Sequence, residues 1–266
     1  MTSPYSIKRN GLWLLLIFFI TFQSDLYAQQ ASNSSNQNKD SKSWNFVAAP
    51  YLLFASMDGE VTIQNRPIEV DASFGDIADN LNFALMLYFE AYNDQWMFSF
   101  DGIYMNLGMD GQTPVTGRLA EMEMKQLALD FKGMYRVTDW FDAGIGFRIN
   151  DLNAKANIAE GDIILPGNEI EQGATWFDPL IAARAKTDFD GSNWKLQLLG
   201  DIGGFGIGSD LTWQVKPTLG YRFSNLFGLD LSYRWISMDY KKGSGSNYFN
   251  YDMVISGPEL GLMFNF

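Results

Sequence analysis

The residues that could do chemistry in this chain are charged ones, because it contains 31 Asp and Glu and 19 Lys and Arg but no His and no Cys. Without Cys the chain can form no disulfide, no thiolate nucleophile and no Cys-ligated metal site. Without His it lacks the usual general base at neutral pH. Two carboxylates can catalyse glycoside hydrolysis alone, but acids interleaved with Arg and Lys indicate ion pairing instead. The sequence therefore predicts that the chain is not an enzyme and has no cofactor or metal site.

One glycine-rich run, GGFGIG at 203–208, is superficially similar to a phosphate-binding loop. Such loops lead into the N-terminus of a helix, whereas the residues that follow here, SDLTWQV, alternate like a strand. We interpret the run as a tight turn between strands. The net charge of −12 also excludes nucleic acid as a partner, because phosphate binding needs clustered Lys and Arg.

The elements that carry the charged residues are strands. From Trp44 onward the apolar residues recur with a period of two. Short and long connections alternate between these segments, which is typical of outer-membrane barrels with tight periplasmic turns and longer extracellular loops. The pattern predicts an all-β fold, an antiparallel up-and-down transmembrane β-barrel of ten strands, with eight or twelve strands as alternatives. The ten segments are roughly 44–56, 81–91, 95–106, 122–136, 140–152, 174–187, 194–206, 211–223, 227–239 and 250–266.

Each segment has one apolar and one polar face. In 140–152, for example, Phe141, Ile145 and Phe147 share one face, and Asp142 and Arg148 share the other. Alternation alone does not distinguish a membrane barrel from a soluble periplasmic barrel with an apolar ligand inside. Three further observations favour the membrane barrel.

The first observation is that the charges on the polar face balance, with eight residues of each sign. Charges enclosed in a lumen must be paired, whereas a solvated outer face has no such requirement. The predicted lumen charge network consists of Glu90, Asp101, Asp130, Asp142, Asp178, Asp201, Asp230 and Glu259 with Lys132, Arg148, Arg184, Lys186, Lys195, Lys216, Arg222 and Arg234.

The second observation is the placement of large aromatic residues at the start of every odd-numbered strand. In a barrel these positions lie together at one membrane boundary, where amphipathic rings prefer to be. The predicted interface aromatics are Trp44, Trp96, Trp140, Trp194 and Phe227.

The third observation is the last strand, ELGLMFNF (Glu259 to Phe266), which resembles the C-terminal signal of outer-membrane barrels that the barrel-assembly machinery reads. The predicted assembly signal comprises Gly261, Phe264 and Phe266. Most of the chain is similar to small outer-membrane β-barrel proteins of the OmpA and OmpW type. The segments NFVAAPYLLFASMDGEV, VDASFGDIADNLNFALM, GDIGGFGIGSDLTWQVKPTLGYRF and GPELGLMFNF resemble an uncharacterised group of such barrels. The resemblance implies a fold and a location in the outer membrane, but no activity.

The first 43 residues indicate export. Lys8 and Arg9 precede an apolar core at 12–22, and Ala28 offers a cleavage point, so 1–28 is predicted to be a signal peptide. The polar segment 29–43 is predicted to be a flexible periplasmic spacer. The barrel is then expected to occupy 44–266. The alternative to a cleaved signal is a membrane anchor at the N-terminus, but the apolar run is shorter than the roughly 20 residues that a bilayer span requires.

Two roles stay open for such a barrel. A charged lumen and the acidic segments 57–80 and 151–173 suggest a narrow passive channel for small solutes or cations. The alternative is a plugged structural or adhesin-like barrel that acts through these acidic extracellular loops. The expected partners are outer-membrane lipids and lipopolysaccharide, with divalent cations at the acidic loops.

Overall fold

The structure is a computed structural model that describes residues 43–63, 66–112, 119–158, 169–189, 192–245 and 248–266. The predicted signal peptide, 1–28, and all but the last residue of the predicted spacer, 29–43, lie outside these residues. Within the part of the chain that is described, no helix has the length and apolar character needed to cross a membrane.

The described residues form twelve strands and one short helix. The elements are β1 (Asn45–Leu53), β2 (Ser56–Ile63), β3 (Arg66–Ala72), α1 (Phe74–Asp79), β4 (Leu81–Tyr92), β5 (Trp96–Gln112), β6 (Leu119–Thr138), β7 (Phe141–Ile158), β8 (Glu169–Asp188), β9 (Trp194–Gly204), β10 (Leu211–Arg222), β11 (Phe227–Lys242) and β12 (Phe249–Asn265).

Ten of these strands form a closed antiparallel ring. The order runs from β1 to β4 and then consecutively to β12, and β12 pairs with β1 to close the ring. At the seam, Phe46 and Phe266 exchange two backbone hydrogen bonds of 2.9 and 3.0 Å. The ten-stranded barrel is therefore confirmed, and β2 and β3 lie outside the ring. Every predicted segment corresponds to one ring strand.

The outer surface of the ring is apolar. Ile145, Leu85 and Leu231 are 72%, 54% and 52% exposed, whereas the charged neighbours on the opposite face, such as Arg148, are buried. A closed antiparallel barrel with an apolar exterior satisfies all its backbone groups internally, which is what hydrocarbon requires. The chain is a transmembrane β-barrel of the outer membrane.

The connections from β4 to β5, β6 to β7, β8 to β9 and β10 to β11 are short and all lie at one end of the barrel, which we call the turn end. The opposite end, where the longer connections lie, is the loop end. Short turns face the periplasm in outer-membrane barrels, so we expect the turn end to be the periplasmic one.

The segment predicted as the acidic loop 57–80 is a correction to the sequence analysis, because it contains β2, β3 and α1. β2 pairs with the loop-end half of β12, from Ser56 opposite Ser256 to Ile63 opposite Phe249. Met57 and Val61 point inward and are buried. Their burial against the barrel interior holds the hairpin to the wall, a tertiary effect that the acidic composition of the segment concealed.

The helix α1 is likewise absent from the sequence-based prediction. Its start is fixed by a capping box, in which the Asp76 backbone N–H donates to Ser73 Oγ at 3.3 Å and the Ser73 N–H donates to Asp76 Oδ2 at 2.9 Å. The S-x-x-D spacing was a usable signal, but a helix of six residues is too short for a visible 3.6-residue period.

Candidate functional site

The lumen near the turn end contains three clusters of ion pairs. The first surrounds Arg148, whose Nε and Nη2 donate to both carboxylate oxygens of Asp130 at 3.0 and 2.9 Å. Nη2 also lies 3.1 Å from Asp201 Oδ1, and Nη1 donates to the Thr212 hydroxyl at 2.8 Å. Lys132 Nζ lies 2.9 Å from Asp130 and 3.2 Å from Asp201. Two cations thus neutralise two carboxylates.

The second cluster surrounds Arg234. Its Nη2 donates to Asp101 Oδ2 at 2.6 Å and its Nε donates to Glu259 Oε2 at 2.9 Å. Lys216 Nζ donates to the other oxygen of Glu259 at 3.0 Å, and the Tyr51 hydroxyl donates to Asp101 Oδ1 at 2.5 Å. This cluster is also neutral, and every carboxylate oxygen in it has a donor.

The third cluster surrounds Arg184. Its Nε and Nη2 donate to Asp142 Oδ2 at 2.9 and 2.7 Å, and its Nη1 donates to Glu90 Oε2 at 2.8 Å. The Tyr88 hydroxyl donates to Glu90. Lys186, which is half-buried, lies 3.3 Å from Asp142.

The predicted lumen charges are mostly buried. Twelve of the residues assigned to the network are buried: Glu90, Asp101, Asp130, Lys132, Asp142, Arg148, Asp178, Arg184, Asp201, Lys216, Arg234 and Glu259. Lys195 and Asp230 are half-buried and lie 3.3 Å apart. Because a water-filled pore leaves its lining residues accessible, this degree of burial indicates side chains that fill the lumen.

Two predicted members of the network behave differently. Arg222 is exposed because it is the last residue of β10, at the turn end, so its place in the lumen charge network stays a prediction. Asp178 is buried but holds a loop. It accepts hydrogen bonds from the Ser209 N–H at 2.5 Å, the Ser209 hydroxyl at 3.0 Å and Trp176 Nε1 at 3.1 Å. These bonds fix the connection between β9 and β10.

The loop-end half of the lumen is apolar, which sequence reasoning missed. On the inner face of β11, Arg234 is followed by Ile236, Met238 and Tyr240, which are all buried. Tyr240 stacks on Trp176 with ring centroids 4.3 Å apart. The available signal was a change of parity after Trp235, because the even positions Ile236, Met238 and Tyr240 become apolar. The odd positions Ser237, Asp239 and Lys241 become polar at the same point.

The predicted interface aromatics all lie at the turn end and are exposed. Their exposed fractions range from 42% for Trp44 to 59% for Trp140. Trp96 packs edge-on against Tyr135 at a centroid distance of 5.1 Å, and Trp194 packs against Tyr221 at 4.7 Å. Phe227 packs against Phe264 of the last strand at 5.2 Å.

The predicted assembly signal lies on the closing strand. Phe264 is opposite Ala48, Gly261 is opposite Tyr51, and Phe266 is bonded to Phe46. An added Cβ at Gly261 would lie 3.5 Å from the Tyr51 Cβ, which is ordinary van der Waals contact, so packing against the Arg234 cluster does not require glycine there.

The acidic surface lies on the hairpin of β2 and β3. Asp58 is opposite Asp71 and Glu60 is opposite Glu69. In the second predicted loop, 151–173, strand continues to Ile158 and resumes at Glu169, and 159–168 lie outside the described residues. Among the residues that the structure describes, no group of three or more acidic side chains is arranged to hold a metal ion.

Comparisons with known proteins give similarities of fold only. No protein-family model matches this sequence, and no curated protein is significantly similar to it. The crystal structure of Ail, the attachment invasion locus protein of Yersinia pestis, is 10% identical with a TM-score of 0.35, covering 84% of this chain and 98% of that one. The transport unit of the Escherichia coli autotransporter AIDA-I is 11% identical with a TM-score of 0.39, covering 92% and 98%. A Pseudomonas aeruginosa FadL homologue is 10% identical with a TM-score of 0.34, covering 84% and 90%. Similarities at this level concern the fold and carry no argument about activity.

Proposed function

We propose that this outer-membrane barrel is plugged and serves as a structural or surface-interaction protein, in preference to a passive solute channel. The observation that carries this proposal is the burial of charged side chains in the lumen, where Arg148 is 1% exposed and Arg234 is 2% exposed. A permeating ion or solute would have to displace these side chains.

Some bonds within the plug join strands that are not neighbours. Arg234 on β11 reaches Asp101 on β5, and Arg184 on β8 reaches Glu90 on β4, with three ring strands between the partners in each case. Breaking a buried ion pair by removing one partner costs about 3–5 kcal/mol. Thermal motion therefore opens such a plug rarely.

The surface that remains for partners is acidic. Asp58, Glu69 and Asp71 are exposed on the hairpin, and Asp76 and Asp79 are exposed on α1. Like charges directly opposite each other on paired strands are destabilising, and cations would relieve that repulsion. This supports divalent cations bridging the barrel to lipopolysaccharide phosphates as the interaction. The predicted export signal at 1–28 fits this location.

The experiment is conductance recording in planar bilayers on the purified protein. The wild-type protein is expected to give no current above background. The double variant Arg148→Ser with Asp130→Ser removes both partners of one ion pair and is expected to give discrete current steps. Arg222→Ser, which alters an exposed arginine, serves as the matched control and is expected to stay silent. Stable, cation-selective steps from the wild-type protein would favour the channel instead.

A further inference from the structure

The turn-end mouth of the lumen contains more cations than carboxylates. Asp142 is shared by three cations. Arg184 donates to its Oδ2 at 2.7 and 2.9 Å, and Lys186 Nζ lies 3.3 Å from the same oxygen. Arg136 Nε reaches Oδ1 at only 3.4 Å. The cluster has one further carboxylate, Glu90, which bonds to Arg184. Among the side chains that the structure describes in this cluster, three cations and two carboxylates leave a charge of +1.

Arg222 adds a second uncompensated charge. It lies on the inward face of β10 at the turn end, and its side chain has no ion pair or hydrogen bond with the described residues. The nearby pair of Lys195 and Asp230 is neutral and leaves the balance unchanged. Asp94 and Asp139 are exposed in the turns, where water and salt screen their charges. The mouth therefore has an excess charge of +2, whereas the whole chain has a net charge of −12.

These four cations line a depression open to water, which we call the cationic bowl. Exposure of the side chains rises from Arg184, at 3%, through Arg136 and Lys186, at 21% and 27%, to the exposed Arg222 at the rim. The buried ion clusters form the floor of the bowl. Half-buried cations without a matching anion are costly, because burial removes part of their hydration. An anionic ligand would remove this cost.

The free donors of the bowl come from different strands. The last residue of β4, Tyr92, packs against a small apolar cluster that consists of Met97, Met134, Ala182 and Leu199. Its hydroxyl lies within electrostatic range of the three arginines of the bowl and has no hydrogen-bond partner among the described residues. Arg136 uses only Nε, so its two terminal nitrogens are also free. Donors from β4, β6 and β10 therefore converge on one space.

We propose that the cationic bowl binds a phosphate dianion, either free or as the monoester group of a larger molecule. A phosphate monoester has a charge of about −1.5 to −2 at neutral pH and three acceptor oxygens, which matches the excess charge and the three directions of the donors. The planar fork of Arg136 suits two phosphate oxygens. The Tyr92 hydroxyl donates to a third oxygen, and Arg222 and Lys186 supply charge. A carboxylate has two oxygens in one plane and cannot meet all these donors. The site lies at the opposite end of the barrel from the acidic hairpin and does not depend on it.

The experiment is isothermal titration calorimetry on the refolded full-length protein in an uncharged detergent. The ligands are inorganic phosphate, glycerol 3-phosphate and succinate, a dicarboxylate of similar charge. Saturable one-to-one binding is expected for phosphate, at least about tenfold tighter than for succinate, which leaves a charge-assisted bond unmade. Comparable binding of glycerol 3-phosphate would support recognition of a monoester group on a larger molecule. Binding of inorganic phosphate alone would support free phosphate as the ligand.

Two variants test the donors, each with a matched control. Arg136→Gln is expected to weaken phosphate binding about tenfold or more, because it removes a charge-assisted fork. Tyr92→Phe removes only the hydroxyl and is expected to weaken binding about fivefold. Lys241→Gln removes an exposed cation at the loop end, and Tyr135→Phe removes an exposed hydroxyl from the outer face of β6. Both controls should bind phosphate as the wild-type protein does.

Heat-dependent mobility on gels establishes that each variant has folded. Tyr92→Phe keeps the ring that packs against the apolar cluster, so it provides a folded variant even where Arg136→Gln is unstable. The proposal would be overturned by the absence of saturable phosphate binding to the wild-type protein or by equally tight binding of succinate. Unchanged affinity in folded Tyr92→Phe and Arg136→Gln would also overturn it.

Discussion

Arg234 and Asp101 meet across the lumen, with Nη2 of the arginine 2.6 Å from Oδ2 of the aspartate, although three ring strands separate β11 from β5. Tyr51 on β1 and Glu259 on β12 flank the seam. The Tyr51 hydroxyl donates to Asp101, and Glu259 accepts from Arg234. The ion cluster therefore ties together strands on both sides of the closure.

Arg234→Met is expected to destabilise the barrel by about 3–5 kcal/mol, because Asp101 and Glu259 would keep their charges in a buried site with one cation fewer. Urea unfolding of the refolded protein in micelles measures the change. Arg222→Met, at an exposed arginine, is expected to change stability by less than about 0.5 kcal/mol. Equal losses in the two variants would show that burial of the charge is irrelevant.

Ile145→Lys and Val137→Lys test how deep two positions of the lipid-facing surface lie in the bilayer. Both positions are exposed, but Val137 lies at the turn end and Ile145 lies further along the wall. A lysine facing lipid costs about 2–4 kcal/mol at the bilayer midplane and about 0–1 near the interface. The folded fraction in vesicles should therefore fall much more for Ile145→Lys. A larger fall for Val137→Lys than for Ile145→Lys would mean that Val137 lies nearer the bilayer midplane, which would contradict this prediction.

Trp176→Ala is expected to cost about 3–5 kcal/mol, because it removes a buried ring and its stacking on Tyr240. It also removes the N–H donor to Asp178, the residue that bonds to Ser209. The connection between β9 and β10, which contains Ser209, is therefore expected to loosen. Differential scanning calorimetry in detergent checks the loss. Trp140→Ala changes the same residue type at an exposed position and should cost clearly less.

Asp76 makes the cap of α1 sensitive to acid. The Ser73 hydroxyl and backbone N–H donate to its carboxylate, and these bonds hold the pKa of Asp76 below its ordinary value of 3.8. A lowered pKa stabilises the folded helix above pH 3.8, and that stabilisation is lost as the pH falls through the lowered value. Protection of the Ile77 amide against hydrogen exchange is therefore expected to be constant from pH 7 to about pH 5 and to fall in stronger acid. Asp76→Asn should remove this pH dependence, and a wild-type loss centred near pH 6 would contradict it.

The strand count could be predicted because a period of two survives in every ring strand. The segment predicted at 227–239, for instance, is β11, Phe227–Lys242. Several predicted segments stop short of the loop end, such as 140–152 for β7, Phe141–Ile158. In the loop-end halves the inward positions turn apolar, and this change blurs the alternation. Alternation also placed Arg148 inside and Ile145 outside, since neighbouring residues in a strand face opposite sides.

The pairings within the lumen could not be predicted. Which cation meets Asp101 depends on the shear of the barrel and on the strands across the lumen, and neither leaves a local pattern. The hairpin of β2 and β3 was predicted as an acidic loop, and only the twelve-strand alternative included it in the wall, for a related reason. Its apolar positions, such as Met57 and Val61, are interrupted by acids, and only the pairing with β12 reveals that they face a core.

The seam that joins Phe46 to Phe266 affects how slowly the folded barrel unfolds. Contacts between residues so distant in sequence form slowly, and until they form both seam strands present edges that invite aggregation. Once closed, the ring cannot release one strand without disrupting the Arg234 cluster, which spans the seam. The barrel should consequently owe its persistence to a high barrier to unfolding as much as to its equilibrium stability.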